Sequence, residues 1–332
     1  MSNYLLIPPQ EYDWLEGFTF LFLGFIAFSI VTFGIGFVFS LIGYFYYSLS
    51  FRANTAREKR RLNKFHLSAT KLTFLQINFP FYKQLPTQAL KDSFAKKVAL
   101  FSSIKTFVAQ DTKEEVNSEM KTLIAAYAAQ VTFGWPHIYL AHFRTIYVYP
   151  DVYFSKKGVN YHKGEVNTKG AIVFAWKELA QELDNASDGR NLGIHEMSHA
   201  LYLENMIKNK EYNFIPKKYI YDLHAAFNNE SQLDQTLLRD YAFNNVIEFF
   251  AVASEVFFEK GAILKAHKPE LYDLLTHIYN QDPLQGNYPL KIFRGTSLGD
   301  YLEDIFGVKK WGQKFRKWLE QLNPSKKGSS RH

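Results

Sequence analysis

The pattern of apolar and charged positions separates a long uncharged block from a mixed remainder. From Gly17 to Phe51 no residue is charged, and most positions are Phe, Leu, Ile, Val or Gly. About 20 apolar residues suffice to cross a bilayer as a helix, so this block predicts a transmembrane segment at residues 17–51. Its extra length leaves open a tilted helix, an extension beyond the lipid, or a break near Gly34 and Gly36 into a hairpin. Each hairpin arm would be short for a full span, so a single crossing is favoured.

Acidic residues precede this block and basic residues follow it. The flanking charges are Glu11, Asp13 and Glu16 on one side and Arg52, Arg57, Lys59, Arg60, Arg61 and Lys64 on the other. A cleaved signal peptide would show the reverse order and a small-residue cleavage site. The positive-inside rule places the chain after Arg52 in the cytoplasm. We therefore expect a single-pass cell-membrane protein with a tail at 1–16, lipid contact through 17–51 and a basic juxtamembrane linker at 52–70.

The remainder of the chain contains segments with helical spacing. Residues 88–108 place Lys opposite an apolar face, and residues 112–131 begin with a capping box formed by Thr112 and Glu115. A third segment, capped by Asp188, contains residues 195–199, and a fourth covers residues 246–260. Beyond them the pattern is helical and interrupted by Pro. We expect residues 324–332, the last part of a polar tail, to be disordered.

Two short segments are rich in β-branched and aromatic residues. Residues 144–149 (RTIYVY) and 170–176 (GAIVFAW) are bounded by Pro150 and polar turns, which predicts strands. The expected fold class is therefore mainly α with a small β-sheet (α+β). It forms a domain over residues 71–323, preceded by the transmembrane helix.

Composition limits the chemistry that the chain can support. Among 332 residues, 47% are apolar and none is Cys, so disulfides and thiolate metal sites are excluded. A transition metal must be bound by His and carboxylates. The net charge of +7 is concentrated in the cluster after residue 51 and in the C-terminal tail. A basic cluster beside an apolar segment is more typical of a topology signal or lipid contact than of DNA binding. No nucleic-acid partner is expected.

The most informative motif is His195-Glu196-Met197-Ser198-His199. Two His four residues apart on a helix share one face, at a separation that suits a single tetrahedral zinc ion. Glu196 lies beside that face, where it can take a proton from a water whose pKa zinc lowers. With 10 His in the chain, chance should produce this pattern in only about one or two chains per hundred. The alternative is a His pair with a salt-bridged Glu.

A catalytic zinc ion needs a third protein ligand. The metzincin continuation would require Gly at 202 and His at 205, but these positions are Tyr202 and Asn205, which excludes it. The remaining candidates are His224, Glu248, Glu255 and His267.

The segment Val246–Phe258 is almost entirely apolar and carries two charges, Glu248 and Glu255. Seven residues apart, they share one face of a helix. Burying carboxylates there is costly unless a cation or a hydrogen-bond partner compensates. We therefore prefer Glu248 as the third ligand and Glu255 as the group that orients a ligand His. The alternative is that both pair with Lys or Arg at the edge of the surface.

Across residues 80–285 the chain resembles the Mlc titration factor A family of zinc peptidases. The matching blocks are FYKQLPTQAL, GAIVFAW, DGRNLGIHEMSHALYLEN, DLHAAFNN, DYAFNNVIEFFAVASEVFF and QDPLQ. The resemblance implies a zincin-like fold, one catalytic Zn²⁺ held by His195, His199 and Glu248, and Glu196 as general base. That family's core is similar to anthrax lethal factor, in which a Tyr seven residues before the ligand Glu faces the metal. Tyr241 has that spacing and is expected to stabilise the oxyanion.

Two features depart from the family pattern. Many members have an acidic residue where this chain has Tyr202, with Glu204 as a partial replacement, and the better-known members lack the apolar block. The leading expectation is a membrane-anchored zinc peptidase that acts on peptide or protein substrates. In it, residues 170–176 form an edge strand that pairs with the substrate. The alternative is a membrane-tethered protein that sequesters a regulatory partner.

Overall fold

The structure, a computed structural model, describes residues 14–155, 160–183, 188–211, 213–230 and 237–288. The chain divides into two compact units, and residues 55–293 form the second. The predicted tail at 324–332, and most of the one at 1–16, lie outside the described residues.

The first helix, α1, extends over Trp14–Leu62 without interruption. It passes through Gly34 and Gly36, so the hairpin alternative is wrong. Within it, Gly17–Gly43 has a mean hydropathy of 2.4, and none of its described side chains is buried in the protein. This stretch is long and apolar enough to cross a bilayer. The helix also continues into the segment that we predicted as a basic linker.

The second unit contains ten further α-helices, two 3₁₀ helices and six strands among the described residues. The α-helices are α2 (Ala69–Asn78), α3 (Pro80–Gln84), α4 (Gln88–Ile104), α5 (Ser118–Val131), α6 (Trp176–Gln181), α7 (Leu192–Met206), α8 (Lys217–Glu230), α9 (Val246–Glu259), α10 (Gly261–His267) and α11 (Pro269–Tyr279), with 3₁₀ helices at Asp240–Phe243 and Pro283–Gln285. The strands are β1 (Thr106–Ala109), β2 (Thr145–Tyr149), β3 (Tyr153–Ser155), β4 (Asn160–His162), β5 (Gly164–Asn167) and β6 (Ala171–Ala175). The predicted class, mainly α with a small sheet, is confirmed.

Two predicted boundaries on the N-terminal side of this unit are wrong. Helix α5 ends at Val131 as predicted, but its N-cap is Asn117, whose side chain accepts from the Met120 amide at 2.9 Å. Thr112 instead accepts from the Glu114 amide within a turn. Helix α4 ends at Ile104, because the β-prone residues that follow it pair with β2 as a strand.

The helix that carries the HEMSH motif begins later than expected. Its N-cap is Asn191, whose side chain accepts from the amide of Ile194 at 2.9 Å. Asp188 accepts from the Arg190 amide in the preceding loop. Either Asx side chain has the chemistry of a cap, and spacing alone did not distinguish them. Helix α9 has the predicted bounds to within one residue.

The four-stranded sheet has the order β1-β2-β6-β5. Strands β1, β2 and β6 run parallel, and β5 runs antiparallel to β6. The predicted strands at 144–149 and 170–176 are confirmed as β2 and β6, but β6 is interior, so its prediction as an edge strand is wrong. Its run of consecutive buried residues, Ile172 to Ala175, is typical of an interior strand. The edge strand beside α7 is β5. Strands β3 and β4 form a separate two-stranded hairpin.

Helices α5, α7, α9 and α11 pack around the apolar core that positions the site. Gly193 lets α7 approach α5, because a Cβ there would lie 2.3 Å from the ring of Tyr127. A chain of buried hydroxyls joins the other three helices. Tyr279 of α11 lies 2.8 Å from the Ser198 hydroxyl of α7 and donates to Ser254 of α9 at 2.5 Å. Ser254 in turn donates to the carbonyl of Phe250.

Candidate metal centre

Three predicted ligands converge between α7 and α9. His195 and His199 lie one turn apart, with their Nε2 atoms 3.0 Å from each other. Glu248, from the first turn of α9, places Oε2 at 3.2 Å and 3.3 Å from these two nitrogens. The two imidazoles are buried and the carboxylate is partly buried.

These three atoms fit a divalent metal ion. Zinc binds His nitrogen and carboxylate oxygen at about 2.0–2.2 Å, so tetrahedral ligand atoms lie about 3.3 Å apart. The observed separations of 3.0–3.3 Å match that value. Glu248 Oε2 is buried and has no hydrogen-bond partner, as expected for an oxygen directed at a cation. Two imidazoles and a carboxylate suit zinc and several other transition metals.

The electrostatics of the pocket favour a positive charge between the ligands. Burial lowers the pKa of His195, but the adjacent carboxylates of Glu248 and Glu255 outweigh it and raise that pKa to about 10. Burial raises the pKa of Glu248, but the adjacent imidazoles of His195 and His199 outweigh it and hold that pKa well below the usual range. A metal ion and a proton therefore compete for the same place.

Glu255 lies behind His195, on the side away from the other candidate ligands. Its Oε1 is 2.6 Å from Nδ1 of His195, and only 1% of the side chain is exposed. The alternative arrangement, an ion pair, is present as well. Arg239 donates to both carboxylate oxygens, at 2.7 and 2.9 Å. The second oxygen also accepts from the backbone amide of Asn191, the residue that caps α7.

Sequence reasoning missed Arg239. In the sequence it is marked only by its position two residues before Tyr241. In the structure it lies directly before the 3₁₀ helix Asp240–Phe243. Nothing in the spacing links Arg239 to Glu255, because the contact depends on how that helix meets α9. The bidentate pair fixes the carboxylate that in turn orients His195.

Glu196 is buried beside the ligand pair and faces strand β5. A Cβ at Gly164 would lie 2.6 Å from Oε1 of Glu196, so a larger residue there would displace the Glu196 side chain. Burial raises the pKa of Glu196, while the charges of His195 and His199 lower it, and the net direction is upward. A raised pKa suits a carboxylate that accepts and returns a proton. The close approach of Gly164 was also missed, because Lys163-Gly164-Glu165 has the composition of an ordinary turn.

Tyr241 lies at the mouth of the site, with its side chain 47% exposed. Its ring centroid is 6.1 Å from that of His195. Burial raises the pKa of Tyr241. The charge of Glu248 and a hydrogen bond with that carboxylate raise this pKa further, to about 12. The phenol therefore stays protonated and can donate a hydrogen bond near the candidate ligand Glu248.

The other candidate ligands lie elsewhere. Nε2 of His224 is 3.2 Å from the Tyr202 hydroxyl, and His267 is exposed and contacts the carbonyl of Ile263. Glu204 does not replace the missing acidic residue at position 202. Glu204 is fully buried and accepts a hydrogen bond at 3.0 Å from the backbone amide of His142, which lies in the loop before β2.

A helix with a His pair, a Glu from a second buried helix and a mixed sheet alongside define a metallopeptidase-like domain. Residues 53–280 match the family described as glucose-regulated metallo-peptidase M90. This match covers more than half of the chain, so the protein belongs to that family. The resemblance to Mlc titration factor A found in the sequence is confirmed.

Individual proteins that are similar to this chain agree with the family assignment. An uncharacterized protein of Synechocystis is 28% identical over 226 residues, which cover 62% of this chain and 81% of that protein. Mlc titration factor A of Escherichia coli is 35% identical over 132 residues, 37% of this chain and 49% of that protein. The Klebsiella pneumoniae protein of that name is 32% identical over the same length. The chain thus spans about half the length of the Mlc titration factor A proteins that it matches.

Proposed function

We propose that this protein is a membrane-anchored zinc peptidase. One observation carries the proposal. The three candidate ligand atoms of His195, His199 and Glu248 meet within hydrogen-bond distance, and the Glu196 carboxylate lies beside them. A structural metal site would have no use for that extra buried acid, whereas hydrolysis needs a base.

The proposed chemistry divides among five residues. His195, His199 and Glu248 would hold the zinc ion, which supplies polarisation of the attacking water and the scissile carbonyl. Glu196 accepts the proton of the water and returns it to the leaving amine. Tyr241 donates its phenol proton as a hydrogen bond to the oxygen that gains negative charge.

The edge strand β5 offers a binding surface for an extended substrate. Within the described residues the sheet ends at this strand, so its outer backbone groups are available to pair with a peptide. Gly164, its first residue, lies against Glu196. A peptide added along β5 would therefore pass the proposed general base. This assigns to β5 the role that the sequence had suggested for β6.

The test is hydrolysis by Glu196→Gln compared with the wild-type chain. We expect the variant to lose turnover of quenched fluorescent peptides while its zinc content, measured by mass spectrometry, stays at about one ion per chain. Glu119→Gln, at an exposed position on α5, is the matched control. Turnover retained in Glu196→Gln, or no zinc in the wild type, would contradict the proposal.

A second candidate function is sequestration of a regulatory protein. It is favoured by the name of the relatives, which are called titration factors. In that case, binding of the partner would survive both chelation of the metal and the Glu196→Gln substitution. Loss of binding on chelation would favour recognition through the metal centre instead.

We further propose that residues 17–51 anchor the protein as a single crossing with the catalytic unit in the cytoplasm. Support comes from the uninterrupted apolar stretch Gly17–Gly43 and the basic residues that follow it. The chain should resist alkaline extraction from membranes. In inside-out vesicles protease should digest residues 55–288, whereas protection of that region would reverse the orientation.

A further inference from the structure

The β3–β4 hairpin presents two different faces. Tyr153 pairs with His162 across the strands, and Phe154 pairs with Tyr161 in the next register position. Because side chains alternate along a strand, the two pairs lie on opposite faces. Phe154 and Tyr161 are 54% and 74% exposed, whereas Tyr153 is only 8% exposed. The inner face is therefore formed by Tyr153 and His162, whose ring centroids are 6.2 Å apart.

Both inner side chains end in a buried polar atom without a partner. Among the described residues, such side-chain atoms are Tyr153 OH, His162 Nε2, His199 Nδ1, Glu248 Oε2 and Gln281 Oε1. Two of these belong to the candidate metal centre and two to the hairpin. Buried polar groups in folded proteins are nearly always hydrogen-bonded, so an unpaired one calls for a functional explanation.

The hairpin is continuous with the proposed active site. Strand β4 ends at His162, and after one intervening residue β5 begins at Gly164, which lies against Glu196. Tyr153 is also stacked on Tyr149 at the end of β2, with ring centroids 4.4 Å apart. Burial raises the pKa of Tyr153, and the charges of Glu165 and Glu196 raise it further. The phenol is therefore protonated.

We propose that Tyr153 and His162 form a substrate subsite that binds a main-chain amide of an extended peptide. This inference rests on the proposed peptidase function and extends the peptide path from β5 onto the hairpin. A protonated phenol donates to a carbonyl, and an imidazole nitrogen donates or accepts according to its tautomer. The neighbouring carboxylates Glu165 and Glu196 disfavour an anionic side chain at this place, whereas a neutral amide satisfies both polar atoms.

The test measures peptide binding separately from hydrolysis. The background is Glu196→Gln in the full-length chain, loaded with zinc in detergent, and the probe is fluorescein-labelled dephosphorylated β-casein, an unfolded polypeptide. In this background we expect Tyr153→Phe and His162→Gln each to weaken binding about five- to ten-fold, the effect of one lost hydrogen bond. Tyr161→Phe, on the exposed face of the same hairpin, and His267→Gln, on α10, are the matched controls.

Thermal stability separates a binding role from a structural one. The Tyr153 hydroxyl has no protein partner, so Tyr153→Phe should leave the melting temperature unchanged or raise it, with zinc content unaltered. A fall in melting temperature together with the loss of affinity would overturn the subsite, as would binding equal to that of Tyr161→Phe. Absence of measurable casein binding in the Glu196→Gln background would overturn it too.

The same variants in the active chain distinguish the two proposals. If wild type cleaves casein and Tyr153→Phe raises KM with little change in kcat, both stand. If wild type cleaves no peptide but Tyr153→Phe still weakens binding, the peptidase proposal fails and the subsite remains. If cleavage is normal and neither substitution alters KM, the subsite alone fails.

Discussion

Glu255 Oε1 lies 2.6 Å from Nδ1 of His195, on the side of the imidazole opposite the nitrogen that faces the candidate metal position. The carboxylate belongs to α9, the same helix that provides Glu248. One apolar helix thus carries both a candidate ligand and the group that orients another. Arg239 balances the charge of Glu255, so this second carboxylate is buried without being left unpaired.

The first prediction concerns this orienting contact. Glu255→Gln retains the shape of the side chain but removes the charge that holds His195. We expect its zinc affinity, measured by competition with a fluorescent chelator, to fall about 10- to 100-fold. Glu270→Gln, at an exposed position on α11, should retain wild-type affinity. Equal affinities in the two variants would show that Glu255 serves only the ion pair with Arg239.

The second prediction concerns the close approach of β5 to Glu196. In Gly164→Ala the added methyl group would lie 2.6 Å from Oε1, so the carboxylate must move. A displacement of about 1 Å can lower kcat about 100-fold, and we expect that loss with unchanged zinc content. Gly261→Ala is the control, because its methyl group meets ordinary contacts of 3.4 Å or more. Normal kcat in Gly164→Ala would contradict the assignment of Glu196 as base.

The third prediction tests Tyr241. If its phenol stabilises the oxyanion, Tyr241→Phe should lower kcat about 100-fold and leave KM nearly unchanged. Tyr221→Phe, on the exposed surface of α8, should behave as wild type. Steady-state kinetics on one fluorescent peptide suffices for both. A rise in KM with normal kcat would instead make Tyr241 a residue that binds the ground-state substrate.

The fourth prediction concerns stability as a function of pH. Burial raises the pKa of Glu182, Glu204 and Glu259 to about 7 in the folded chain. An acid whose pKa is raised on folding stabilises the protein below its unfolded pKa, and that contribution is lost as the pH rises toward 7. In chelator, the melting temperature should therefore fall between pH 5 and pH 7.5. Glu204→Gln, which keeps an acceptor for the His142 amide, should reduce that fall by about 2–4 °C.

Glu119→Gln provides the comparison for that measurement, because position 119 is exposed at the start of α5. Its melting temperature should follow the wild-type curve at every pH. If Glu204→Gln and wild type gave parallel curves, Glu204 would not be a source of the pH dependence. The measurement needs no activity, so it is independent of the peptidase proposal.

Sequence spacing predicted the parts of the site that lie on single helices. His195 and His199 follow from a four-residue interval, and Glu248 and Glu255 follow from charge in an otherwise apolar helix. Both intervals are fixed by the helical repeat, so the side chains share a face whatever the rest of the chain does. Their convergence on one point was inferred from the cost of burying two carboxylates without a cation, and the family resemblance implied the same ligands.

Contacts between distant segments could not be predicted in this way. Arg239 reaches Glu255, and Gly164 reaches Glu196, only because the 3₁₀ helix and strand β5 are positioned by the core. The order of the sheet was also missed. Strand β5 is short and polar and was not recognised, so β6 was predicted as the edge although its continuous apolar composition suits an interior strand.

The chain of hydroxyl groups through Tyr279 determines which elements around the candidate site can move. Ser254 donates to a carbonyl and Tyr279 donates to Ser254, so Ser198 must donate to Tyr279, and every proton in the chain is committed. Sliding α7 against α9 would break these bonds in a dry interior. These hydrogen bonds therefore hold α7 and α9 in fixed positions relative to each other. Because the Tyr153 hydroxyl and Nε2 of His162 are buried, a peptide that binds them requires the two-stranded hairpin, paired at three register positions, to move.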